Sequence, residues 1–541
     1  MKPALALLLL LLGLLSLPTL AQDPADPAWR RFQHDLGTPA PLGAHADHAL
    51  GTAVTRPFPA VDVAAVIPRK YLLGADLFEE RALSVDNSIG CFICHAGPLS
   101  GTDGRTIPSG VGRAPGKVNA PTTFNAAFNF RQFWNGRAIT LADQATMPIV
   151  TPHEMANTLD AVLAMLRDDA GYAEDFRALY PDGVSAENLA DALAHFERSA
   201  FAVTDTPFQR FLQGDTDALT AQEQRGWQRF QAIGCSSCHN GITLGGNSYQ
   251  KLGAFTPWFP AVREPGPNDA GLAERTARER DLYVVKVPSL HTVAVTEPYL
   301  HDGSLDSLQS VTTAMARHQL GRELSEEDLS DIVAFLVALN GPPEGLRLES
   351  EIAARAQMES CGSEPGGSEP ARDRYGTDLG SSDRCWHTPT VPHTTAYTTT
   401  HAALLPLHAR LLAAAEAIDA GQVAHFDFLQ AEHLELIRHA RALQHPPAEF
   451  DATRRVCLQT GASRVLQEVM LLELPIADFL QARAMLGVLD AHEAEPAPDS
   501  PSAATQQRLR AELAAEAEQA LQALNDAPLS AAVSLLDACA R

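Results

Sequence analysis

CFICH at residues 91–95 and CSSCH at residues 235–239 decide how this chain is read. Each stretch sets two thiols three positions apart and places a histidine directly after the second. Thiols at that spacing can form thioethers to the two vinyl groups of one haem, and the adjacent imidazole then points at the iron. A zinc site would need a second Cys/His pair near each motif, and none is there. A thioredoxin-like redox pair would need a strand-rich α/β setting, which neither motif has. The chain is therefore expected to carry two covalently bound haem c groups. One is held by Cys91, Cys94 and His95, the other by Cys235, Cys238 and His239.

The rest of the chain sets the frame. Its 541 residues are long enough for several domains, and a hydrophobic share of 45% suits chains that bury real cores. The start, MKPALALLLLLLGLLSLPTLAQD, has one lysine, a short apolar run and small residues at cleavage spacing. It reads as a secretory signal peptide over 1–21, so export to the periplasm is expected, with no membrane span. The net charge of −25 argues against nucleic acid as a partner and favours a basic protein partner. Residues 22–60 are Pro/Ala/Gly-rich and read as an irregular arm. The expected fold is mainly α: a haem domain over 61–200, a second over 201–347, a polar linker over 348–400 and a helical-bundle extension over 401–541. Within it, Ser185–Ala200 and Ser325–Leu339 carry helix N-caps and apolar stripes. The remaining cysteines, Cys361, Cys385, Cys457 and Cys539, allow one or two disulfides after export, with no pairing fixed.

Beyond the two motifs, several segments in order resemble the bacterial dihaem cytochrome c peroxidases and their methylamine-utilisation relatives. They are LLGADLFEERALSVDNSIGCFICH, VNAPTTFNAAFNFRQFWNGRAITLADQATMPIVTPHEM, TPFQRFLQGD, QRGWQRFQAIGCSSCHNG, and VPSLHTVAVTEPYLHDGSLDSLQSV with AMARHQL. The resemblance covers roughly half the chain, about residues 70 to 347. It implies reduction of hydrogen peroxide at the first haem, electron entry from a small c-type cytochrome at the second, and a homodimer. It implies Met315 as the second axial ligand of the His239 haem, Trp134 between the haems, and calcium at Asn119 with the carbonyls of Thr296 and Pro298. It also implies Gln144 and Glu154 as the groups over the peroxide-binding face. Heterolysis of the O–O bond needs a proton moved from one oxygen to the other, which a nearby carboxylate can do. Taken alone, Glu154 would read as a helix N-terminal residue, because Thr151 stands at capping-box spacing before it. His153 is expected to be a surface or local residue.

Two departures stand out. Many of these peroxidases cap the first haem with a histidine after its CxxCH. Here neither histidine nor methionine occurs between His95 and Met147, and the corresponding position is Val111, with Arg113 two residues on. The His95 iron is therefore expected to be five-coordinate or water-bound at rest, unless His45 or His48 of the arm reaches it. The second departure is the extension, which has no CxxCH and reads as a partner-docking or oligomerisation module. Two alternatives stay open: a protein-modifying dihaem oxidase, in which a tyrosine rather than Met315 would ligate the second haem, and a non-catalytic dihaem electron-transfer or sensor protein.

Overall fold

The computed structural model describes residues 54–58, 66–95, 100–345, 352, 355, 393–420, 426–443, 452–494, 503–526, 529 and 532–534. The expected signal peptide, most of the arm including His45 and His48, and most of the linker lie outside them, as do Cys361, Cys385 and Cys539. Cys457 is disulfide-bonded. The fold is mainly helical, as expected. Among the described residues the only sheet is a two-stranded antiparallel one.

The first core is built by α1 (Pro68–Glu79), α2 (Leu159–Asp168), α3 (Ala170–Leu179) and α4 (Ala186–Ala200). Side-chain caps start the last three: Thr158 accepts from the Ala161 amide, Asp169 from Tyr172 and Ser185 from Asn188. Their apolar faces bury Leu77, Val162, Leu166, Phe176 and Leu189 in one cluster. The second core uses α5 (Ala221–Ile233), the strands β1 (Tyr249–Lys251) and β2 (Val284–Lys286), then α6 (Leu308–Leu320) and α7 (Glu326–Val337). Tyr249 pairs with Lys286 across the sheet. Phe208, Trp227, Phe230 and Phe335 pack ring on ring within this core, edge-on or tilted except for the stacked Trp227–Phe230 pair.

The two cores are assembled alike. The helix preceding each CxxCH crosses the last helix of its unit at a glycine. A Cβ on Gly74 would stand 2.3 Å from the Ala192 carbonyl oxygen, and one on Gly226 2.0 Å from that of Asp331. Only glycine permits backbones to meet that closely. The chain also ties the units together. Thr55 and Phe58, at the end of the arm, bond to Gly241 and Gln209 of the second unit. Ile352, at the start of the linker, is buried in the first core.

The extension consists of α8 (His393–Asp419), α9 (Asp427–Ala442), α10 (Ala452–Leu471), α11 (Glu473–Ala494) and α12 (Ala503–Asn525). The stripe read from the sequence, Phe426, Leu429, Leu436, Ile437 and Ala440, is buried in its core. That core does not stop at the extension. Ile139, Cys238 and Val287 belong to the same cluster, while Met485 and Val488 of α11 belong to the second core. Arg275 grips both carboxylate oxygens of Glu473 at 2.8 Å, and Arg278 reaches Asp478 at 3.1 Å. Buried Arg131 lies 3.0 Å from Glu473, close in charge though not aligned as a hydrogen bond. Gly487 and Ala491 rest against Ser237 and Gly234 of the second haem-attachment loop.

Candidate functional site

Two cavities hold the residues singled out by the sequence. The first, of about 220 Å3, is lined by Cys235, Cys238, His239 and Met315. His239 sits after the tight turn that closes α5, and its Nδ1–H donates to the Leu244 carbonyl at 3.1 Å. This fixes the ring and leaves Nε2 for a metal. Burial pulls the imidazole down to about 4, so it is neutral, as a ligand must be. Met315 reaches the same cavity from α6.

The second cavity, of about 400 Å3, is lined by Cys91, Cys94, His95, Gln144 and Glu154. His95 repeats the arrangement of His239: its Nδ1–H donates to the Gly101 carbonyl at 3.1 Å, and burial lowers its basicity. At both sites burial pushes the thiols up, to about 12 for Cys91 and Cys235 and about 11 for Cys94 and Cys238. Such thiols are poor thiolate ligands or redox nucleophiles. The donor sets fit covalently attached haem at each site.

Gln144 is carried by the short helix Leu141–Ala145, which a Thr140–Asp143 capping box starts. Glu154 stands in a turn rather than at a helix N-terminus. Thr151 uses its hydroxyl on the Met147 carbonyl, and its own carbonyl accepts from the Glu154 amide. The capping-box spacing is thus spent on turn closure. Burial raises the Glu154 carboxyl above its ordinary range, and Arg137 pulls the other way. Val111 does not line this cavity. Its side chain packs against the first core, and its amide donates to the Glu154 carbonyl at 2.8 Å. Pro108, Ser109 and Gly110 line the wall instead. A Cβ on Gly110 would lie 2.1 Å from the His153 carbonyl oxygen, so this loop closes onto the Glu154 turn only with glycine there.

Three residues of this cavity escape the sequence reading. His153, expected to be a surface or local residue without a part in the site, lines it, with Nε2 3.8 Å from Glu154 Oε1. The reason is the turn at 151–154, which points neighbouring side chains to one side. Arg137 lies over the Phe133 ring at 3.3 Å from the centroid. Glu197 is a buried carboxyl that desolvation pushes up to about 8. Its signal was present, since it falls on the Leu189–Leu193 stripe of α4 where an acid is out of place.

Trp134 borders both cavities, and so does His301. The indole N–H donates to the Asn119 carbonyl at 3.0 Å, and the Trp134 carbonyl accepts from the Lys286 amide at 2.8 Å. His301 Nε2 pairs with Asp269 at 2.6 Å. Asn119, Thr296 and Pro298 all line the first cavity. The Asn119 amide nitrogen donates to the Arg105 carbonyl at 2.8 Å, which leaves the amide oxygen as the donor suited to a hard cation.

Two thiol pairs, two anchored neutral histidines and a tryptophan between their cavities define a dihaem c-type protein. A di-haem cytochrome c peroxidase family model matches residues 68–217. Cytochrome c peroxidase Ccp of Escherichia coli is 44% identical over 50% of this chain and 58% of its own length. This chain therefore spans less than two thirds of that relative. Cytochrome c551 peroxidase of Nitrosomonas europaea is 38% identical over 51% of this chain and 81% of its own length. Methylamine utilization protein MauG of Methylorubrum extorquens is 32% identical over 52% of this chain and 81% of its own. The chain belongs to the dihaem cytochrome c peroxidase family, and its two CxxCH motifs give each of two haem c groups an attachment point. No helix among the described residues is long and apolar enough to cross a membrane.

Proposed function

We propose that this chain is a cytochrome c peroxidase that reduces hydrogen peroxide to water with electrons from a small c-type cytochrome. The observation that carries this is that Glu154 and Gln144 line the cavity of His95. When bound, the haems supply the route for electrons from donor to peroxide. Met315 would hold the second haem together with His239, and a thioether donor there would favour a high potential suited to electron entry. Trp134 is fixed at both its indole and its backbone between the two sites. Gln144 orients peroxide by hydrogen bonding. Glu154, whose proton burial helps to retain, moves a proton from one peroxide oxygen to the other. With Val111 packed against the first core, its side chain would leave the His95 side of a bound haem accessible to peroxide or water at rest.

The same proposal includes calcium at Asn119, Thr296 and Pro298, periplasmic location after cleavage of residues 1–21, a homodimer and a basic donor suited to a net charge of −25. The extension is the docking or assembly module. Met315 in the His239 cavity does not favour the protein-modifying alternative, which would place tyrosine on that iron.

The test is steady-state peroxide turnover with a reduced small c-type cytochrome. Glu154→Gln is expected to lower kcat by about 100-fold or more while both haem spectra stay unchanged. Equal turnover by the variant rejects the reading. A resting ferric spectrum made up only of low-spin, bis-ligated haem rejects the open iron.

A further inference from the structure

We propose that His153 is a positioning residue for the peroxide reaction, relaying protons between solvent and Glu154. The inference rests on the peroxidase reading and adds a proton path to it. Each peroxide reduced to two waters takes up two electrons and two protons. The electrons come from the donor cytochrome, but the protons come from solvent and have to cross into a cavity whose carboxyl is half-buried. His153 stands on that border. Its neighbour Pro152 is exposed, the exposed Lys117 faces it, and its own side chain keeps 28% of its surface accessible. Its Nε2 is 3.8 Å from Glu154 Oε1. That gap is closed by a small rotation or by one bridging water, which transfers a proton as well as a direct bond would.

The surroundings suit a neutral relay. Burial lowers the imidazole's basicity, and the cations Lys117 and Arg137 lower it further. Glu154 is the acid it pairs with, and both Glu154 and Glu274 act on Arg137. At neutral pH the ring is uncharged. It accepts a proton at one nitrogen from solvent and releases one from the other toward Glu154. The imidazole is held in place by its backbone: the Gly110 loop closes on the His153 carbonyl, and the Val111 amide on that of Glu154. Both residues therefore belong to one rigid turn.

The experiment uses the full-length dihaem protein and its His153→Gln and His153→Asn variants. Two readouts are followed from acid to alkaline pH at several buffer concentrations: peroxide turnover, and the spectroscopically observed association of cyanide with the oxidised His95 haem. Cyanide enters as HCN and binds as the anion, so it must hand its proton to a distal base. Both variants are expected to slow turnover and cyanide association about tenfold at low buffer and alkaline pH, with recovery as buffer concentration rises. The KM for peroxide and the resting spectrum are expected to hold. Wild-type rates without buffer dependence in both variants overturn the proposal. So does conversion of a low-spin resting spectrum to high-spin on substitution, which would make His153 an iron ligand. Glu154→Gln run in parallel separates the two levels. If it too behaves as wild type, the peroxidase reading falls, and if it alone is impaired, only the relay falls.

Discussion

At the scale of single residues, the His95 cavity concentrates groups that burial has moved from their ordinary protonation. Glu197 is the extreme case. In the unfolded chain its carboxyl ionises at its ordinary 4.5, and burial in the fold pushes it up to about 8. Between those values the folded state holds a proton that the unfolded state has released. The stability it contributes is therefore full at low pH and lost as pH rises through that window. Glu197→Gln should leave stability at pH 5 nearly unchanged and raise it by about 2–4 kcal/mol at pH 7.5. Urea unfolding at the two pH values checks this, and a parallel shift at both would refute it. The acid was visible in the sequence on an apolar stripe, but its environment was not. His153 shows the same limit more sharply. Its position beside Glu154 is plain in PHEM, yet only the turn at 151–154 decides that both face one cavity.

At the scale of elements, capping chemistry was legible because it is local. Ser185 and Ser325 each accept from the amide three residues on, where their helices were expected to begin. Ser325→Ala should cost about 1 kcal/mol of stability in thermal or urea unfolding. Thr151 and Glu154 obey the same spacing rule and form a turn instead, because Pro148 and the short helix before them have already set the chain's direction. The loop at 108–114 presents the other side of this. Gly110→Ala would drive a methyl group into the His153 backbone, which no side-chain rotation can relieve. About 1–3 kcal/mol of destabilisation is expected, together with reduced peroxide turnover as the Glu154 turn shifts. A variant of wild-type stability and activity would show that the two loops do not bear on one another.

At the scale of the molecule, the extension is part of the second haem unit's packing. Glu473 is 7% exposed at its side chain and answers both Arg275 and the buried Arg131. Glu473→Gln removes the acid and leaves the arginines' charge uncompensated, at a cost of about 3–5 kcal/mol. Because α11 lies on Gly234 and Ser237, the same variant should raise hydrogen exchange at residues 235–239 relative to the unsubstituted protein. Unchanged exchange there would mean that the helix does not cover the attachment loop.

The sequence alone determined the two haem attachments, the predominance of helix, the caps and the apolar stripes. Each of these is written in spacings of a few residues, and covalent geometry or one helical turn is enough to realise them. It also carried the ordered motifs that mark the family. The tertiary structure decided what those spacings cannot reach. It brought Glu154, Gln144 and His95 to one cavity, set Trp134 between two, packed Val111 against the first core and put His153, expected to be a surface or local residue, in the cavity lining. It also fused the extension to the second haem unit, through Cys238 and Val287 in a shared core and Glu473 on Arg275. Such meetings depend on which distant surfaces bury one another, and burial is a property of the closed chain rather than of any segment of it.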